Sequence, residues 1–119
     1  MFRFEKLDVW QKAVEYADLV YRLTRSFPAD ERFGLTTQLR RSAVSVSSNI
    51  AEGSSRSSRT DFARFVEIAY GSLLESVSEL EIAKRQEFLS DETFETTYKK
   101  AEDLARILSG FRRALKKRS

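Results

Sequence analysis

Apolar residues recur at steps of three and four through nearly the whole of this 119-residue chain, the spacing of helices buried on one face rather than of strands. The first series is Val9, Trp10, Ala13, Val14, Ala17, Val20, Tyr21 and Thr24, with Asp8 as its cap. Pro28 cannot continue a helix and disfavours helical backbone at Phe27, so this helix is expected over about 8–26. The second series, Leu35, Leu39, Ala43, Val46 and Ile50, predicts a helix over about 30–53. Asp30 and Glu31 suit its positive N-terminal end, Gly34 weakens its first turn, and Gly53 is expected as a left-handed C-cap.

After the polar loop Ser54-Ser55-Arg56-Ser57-Ser58, the pair Ser58 and Asp61 resembles a capping box with Asp in place of Glu. The third helix, about 59–87, carries Phe62, Phe65, Val66, Ala69, Leu73, Val77 and Leu80. The fourth, about 91–117, starts at Ser90-Asp91-Glu92 and carries Phe94, Tyr98, Ala101, Leu104, Leu108, Phe111 and Leu115. Short links make consecutive helices antiparallel neighbours. The expected fold is therefore all-α, an antiparallel up-down-up-down four-helix bundle forming one domain over 1–119. With one proline and four glycines, the chain lacks the turn punctuation of a β-rich fold. Most of its 9 Phe, 4 Tyr and 1 Trp are expected in the core.

Composition narrows the chemistry. The absence of cysteine excludes disulfides and thiolate metal sites, and the absence of histidine removes the commonest general base and nitrogen ligand. Glu75 and Glu79 stand one turn apart, but a di-metal bundle draws on Glu-x-x-His pairs. Gly53 and Gly71 are isolated rather than part of a phosphate loop, and Ser54 and its neighbours have no base in view. No catalytic residue, cofactor or metal is expected. No apolar run is long enough to span a membrane and residues 1–5 lack a signal-peptide core, so a cytoplasmic protein is expected.

The second helix is unusual. Residues 42–51 read Ser-Ala-Val-Ser-Val-Ser-Ser-Asn-Ile-Ala, all but the alanines mediocre helix formers, so tertiary contacts must hold it helical. Its polar residues Gln38, Ser42, Ser45, Asn49 and Glu52 recur at helical spacing and form one stripe. Arg41, Ser45, Ser48 and Glu52 line an adjoining one, and helix three offers Gly71, Ser72, Glu75 and Glu79. Solvated faces are usually rich in Lys and Glu. A serine-rich one predicts that helices two and three meet along it, or that a second subunit does. Asn49 and Glu75 are expected to be buried and hydrogen-bonded there.

These residues also carry a family likeness. The pieces are Phe4-Glu5-Lys6-Leu7-Asp8-Val9-Trp10-Gln11, Phe27-Pro28 with Glu31 and Phe33-Gly34-Leu35, Gln38-Leu39-Arg40-Arg41-Ser42-Ala43, Ser45-Val46 leading into Asn49-Ile50-Ala51-Glu52-Gly53, and Ile68-Ala69-Tyr70-Gly71-Ser72-Leu73-Leu74-Glu75. In order and spacing the chain resembles the four helix bundle protein family, the intervening-sequence proteins of bacterial 23S ribosomal RNA genes. One departure is Gln86-Glu87-Phe88 where the family often has Leu-Gly-Tyr, which leaves the cap of helix three open. The resemblance implies a ring-like homopentamer and no reaction. It implies that Asn49, Glu52 and Glu75 hold positions the family keeps polar. A related bundle is the accessory protein of diversity-generating retroelements, a basic partner of a reverse transcriptase, which makes RNA or single-stranded DNA the partner to consider.

Charge distribution points the same way. Net charge is only +3, but eight basic and five acidic residues follow position 89, and Arg112, Arg113, Lys116, Lys117 and Arg118 crowd the last eight. Arg40, Arg41, Arg56, Arg59 and Arg64 form a second basic group, expected around the loop between helices two and three. Copies in a ring would concentrate such patches. The expected function is thus a non-enzymatic oligomeric bundle that binds nucleic acid or acts in a nucleoprotein assembly through basic patches. The alternative is a protein-interaction or assembly module with no nucleic-acid role.

Overall fold

Each apolar series is helical in the computed structural model, which describes residues 1–117. The helices are α1 (Asp8–Thr24), α2 (Leu35–Gly53), α3 (Arg59–Arg85) and α4 (Asp91–Lys116), with short 3-10 turns at Arg3–Lys6 and Ala29–Glu31 and no strand among the described residues. Contacts between neighbours run in opposite sequence order. Ser42 meets Glu79, Ser45 meets Ser72 and Gly53 meets Phe62, while Phe62 meets Phe111 and Lys84 meets Phe94. The α2–α3 and α3–α4 seams are therefore antiparallel. Helix α1 packs on α2 and closes the bundle against α4, giving a rod of 46 × 22 × 21 Å.

The core is the sum of the four stripes. Leu39, Ala43, Val46 and Ile50 from α2, Val66, Ala69, Leu73 and Leu80 from α3, Val20 from α1 and Leu108 from α4 are fully buried. That burial, at about 1.5–3 kcal/mol for each large side chain, outweighs the poor propensity of the α2 sequence. The serines of α2 also stop competing with the helix. Ser47 donates to the carbonyl of Val44 three residues back, and Ser54, the residue after α2, does the same to that of Ala51.

Several boundaries differ from the sequence expectation. Helix α1 ends at Thr24, whose hydroxyl donates back to the carbonyls of Val20 and Tyr21. Asp8 lies inside α1 as its first residue, and Leu7 holds the cap position without a side-chain bond. Helix α2 starts at Leu35 rather than near 30, because Gly34 adopts φ −113°, ψ −113° and breaks the path from the preceding turn. Glu31 then caps α2 from outside, its Oε1 accepting from the Leu35 N–H at 3.1 Å. At α3, Ser58 Oγ accepts from the Asp61 N–H at 3.0 Å, the N-cap half of the expected box.

Gly53 is not a left-handed cap. It is the last residue of α2, and no glycine has positive φ. A Cβ there would sit 2.7 Å from Phe65 Cβ and 2.8 Å from Phe62 Cδ1, so the glycine lets α2 and α3 close on each other. The left-handed residue is Glu87, at φ 63°. It closes α3 in a Schellman turn, with the Phe88 N–H on the Ala83 carbonyl at 2.9 Å and the Glu87 N–H on that of Lys84 at 3.0 Å. Two aromatics of the apolar stripes stand at the surface: Tyr21 is 42% exposed and Tyr98 37%.

Candidate nucleic-acid interface

Antiparallel packing carries the C-termini of α2 and α4 and the N-terminus of α3 to one end of the rod. There Arg59, the first residue of α3, donates through Nη2 to the Ala114 carbonyl at 2.9 Å and through Nε to that of Leu115 at 3.3 Å. These belong to the last turn of α4, whose carbonyls have no partner within the helix. The guanidinium also opposes the negative end of the α4 dipole. One cation thus joins two basic groups that are 55 residues apart in sequence.

The cations at this end are not equally free to bind. Arg112 is drawn toward α3, with Nε 3.4 Å from Glu67 Oε2, and that Nε is buried with no hydrogen-bond partner. Arg56 lies over the Phe65 ring at 4.5 Å and 4.0 Å from Glu52. Arg113, Lys116 and Lys117 are exposed and have no ion pair among the described residues. Phe111 and Leu115 turn inward beneath them, Phe111 edge-on to Phe62 at 5.2 Å. Arg118 lies outside the described residues.

Arg40 and Arg41 do not belong to this end, contrary to the grouping drawn from the sequence. Arg41 is twelve residues before the end of α2, roughly 18 Å at 1.5 Å per residue. These two arginines sit beside α1 instead, where Arg40 Nε donates to Thr24 Oγ1 at 2.8 Å and the guanidinium lies 4.6 Å from the centroid of Tyr21.

The serine-rich faces of α2 and α3 do meet within the chain. Ser45 and Ser72 share a hydrogen bond of 2.9 Å, and Asn49 Nδ2, half-buried, donates to the Ser45 carbonyl and hydroxyl. Ser42 Oγ donates to Glu79 Oε1 at 2.7 Å. Gln38, Glu52 and Glu75 are exposed on the outer surface, so the expected burial of Glu75 inside the helix pair falls instead to Glu79, 7% exposed. At 100° per residue the two acids differ by roughly 40° around α3, enough to separate the seam from solvent.

Burial raises the Glu79 carboxyl above its ordinary range; the Ser42 hydrogen bond opposes this and the charge of Glu75 adds to it. Across the core, Tyr16 was absent from the sequence-derived stripe. Its hydroxyl lies 2.7 Å from Ser76 Oγ, and since Ser76 donates its one proton to the Leu73 carbonyl, Tyr16 is the donor. Burial pushes the Tyr16 phenol up to about 12. Its position one turn before Val20 was the signal that could have found it, hidden by tyrosine's polar tip.

Among the described residues no group of acidic side chains could hold a metal ion, and no helix is long and apolar enough to cross a membrane. A family model described as 23S rRNA-intervening sequence protein matches residues 5–110. A crystal structure of a protein with unknown function from the S23 ribosomal protein family of Bacteroides thetaiotaomicron is similar, at 26% identity and a TM-score of 0.75. The match covers 84% of this chain and 94% of that one. No curated protein matches the chain.

Proposed function

The chain belongs to the 23S rRNA-intervening sequence protein family, and from that premise we propose that it is a non-enzymatic, cytoplasmic bundle that assembles with copies of itself and holds nucleic acid by its phosphates. The observation that carries this reading is the bond from Arg59 to the end of α4, which makes one basic end of Arg59, Arg113, Lys116 and Lys117. Clustered cations release counterions from a phosphate backbone without reading its bases. Repetition of that end in a homo-oligomer, a pentamer by family resemblance, would multiply weak contacts into useful affinity. RNA or single-stranded DNA is the expected partner.

The test is a salt titration of binding for the wild type and for a variant with Arg113, Lys116 and Lys117 changed to Gln. Wild-type affinity should fall steeply with salt, and the variant's log–log slope should be shallower by about 0.7 for each single-strand phosphate it no longer neutralises. Equal slopes would refute the basic end as the binding surface. Light scattering should give several times the 13.8 kDa of one chain, and a monomer mass at micromolar concentration would end the assembly reading. A protein-interaction module is the second reading, favoured by Ile68, Leu74 and Ile82, which lie exposed on α3. Purification free of nucleic acid, together with no binding at low salt, would favour it.

A further inference from the structure

Arg40 combines three properties that ordinary surface arginines lack. It is half-buried, it is held in place, and it has no counter-charge. Its Nε donates to the neutral hydroxyl of Thr24, which in turn donates to the Val20 carbonyl at 2.7 Å, and the guanidinium is thereby fixed over Tyr21. Among the described residues no carboxylate lies within ion-pair distance of Arg40 or of its neighbour Arg41. A partly desolvated cation gains most from an anion that completes its shell, and one bond at Nε leaves the other guanidinium N–H groups to supply it.

The space beside it suits such an anion. A groove of about 580 Å³ opens between α1 and α2, lined by Tyr21, Arg40, Arg41, Val44 and Ser48 among others, none of them acidic. Its volume lies within the roughly 300–1,000 Å³ of small-ligand clefts. Tyr21 is still 42% exposed with the guanidinium over it, so aromatic surface remains for a second stacking partner. Ser48, exposed one turn beyond Val44, adds a hydroxyl, and Arg25, the residue after α1, lies one turn beyond Tyr21. Asp18, one turn before Tyr21, is the acid on that side.

We propose that this groove is a single-strand subsite, taking one phosphate on Arg40 and Arg41 and the adjoining unpaired base on Tyr21. The proposal rests on the nucleic-acid reading above and adds to it a preference that the basic end alone does not supply. Bases in a duplex are stacked on one another and cannot reach the ring, whereas every unpaired base has a face to offer. An acidic peptide would use the two arginines but would have no need of the tyrosine.

The experiment compares the wild type, Tyr21→Leu and the Arg113/Lys116/Lys117→Gln variant. Each is titrated with a fluorescent single-stranded RNA of about 12 nucleotides and with the duplex of the same length. Tyr21→Leu should weaken single-strand binding at least about fivefold and leave duplex binding unchanged. An equal loss on both strands, or no loss on either, overturns the proposal. In parallel, a 4-thiouridine strand is photocrosslinked to the wild type, which does not depend on how the variant folds. The crosslink is expected on the peptide containing Tyr21. Crosslinks confined to α4 would overturn the groove and leave the basic end standing. Failure of the wild type to bind either strand at low salt would overturn both. Displacement of the strand by a glutamate-rich peptide, equally from the wild type and Tyr21→Leu, would reassign the groove to acidic peptides.

Discussion

Changing Gly53 and Gly71 separately to alanine makes the same chemical change in two helices, and the packing around each predicts opposite signs. At Gly53 the added methyl would lie 2.7 Å from Phe65 Cβ, 2.8 Å from Phe62 Cδ1 and 3.2 Å from Phe62 Cε1. Those are up to roughly 1 Å inside normal carbon–carbon contact. Phe65 Cβ is fixed to the α3 backbone and cannot rotate away, so the helices must part. Overpacking of this kind costs about 1–3 kcal/mol, and alanine's better propensity returns at most about 1 kcal/mol at a helix end. The net expectation is a loss of about 1–2 kcal/mol and a fall in Tm of roughly 3–8 °C. At Gly71 a Cβ meets nothing within 4 Å. There only the propensity gain of about 0.5–1 kcal/mol remains, for a rise of roughly 2–4 °C. Thermal and urea unfolding followed by circular dichroism measure both, at one protein concentration, because assembly shifts apparent stability. A Tm for Gly53→Ala at or above the wild-type value would refute the close-approach argument. A fall for Gly71→Ala together with a smaller oligomer mass would mean that another copy covers that face of α3.

Three further outcomes follow from single side chains. Because the folded Glu79 carboxyl is raised above its unfolded value, its contribution to stability is present below the unfolded pKa, near 4.3, and is lost as pH rises through the higher folded value. Glu79→Gln keeps an acceptor for Ser42 and escapes that loss, so its Tm should gain on the wild type between acidic and mildly basic pH; a constant difference across that range would sink the argument. Glu87→Gly should relieve the positive φ, worth about 1–2 kcal/mol, less the roughly 0.5–1 kcal/mol of chain entropy glycine loses, and a lowered Tm would count against it. Arg59→Ala should cost about 1 kcal/mol and speed hydrogen exchange of the α4 amides near Leu115, whereas unchanged exchange there would mean the end of α4 holds without its cap.

The four helices were legible because periodicity is a local property. Leu39, Ala43, Val46 and Ile50 repeat at three and four, and no other regular structure puts all of them on one face. The partnership of α2 with α3 was legible as one of two outcomes, the other being a second subunit, since small side chains at helical spacing allow two backbones to approach. Which residues of that seam are inside was not. Ser72, Glu75 and Glu79 recur at helical spacing, and choosing between the two acids requires the rotation of α3 about its own axis.

That rotation is set by how Leu73, Leu80 and Val66 seat against three other helices, which no window of α3 contains. The same holds for function. Sequence determined the number of helices, their faces, the absence of histidine and cysteine chemistry, and the basic character of α4. Tertiary structure decided that Arg59 joins the end of α4, that Arg40 and Arg41 leave the loop group for Tyr21, and that Gly53 serves contact rather than turning. The physical reason is range. Helical periodicity and capping act over three or four residues, whereas counter-charges, stacking partners and close approaches are supplied by residues brought from tens of positions away.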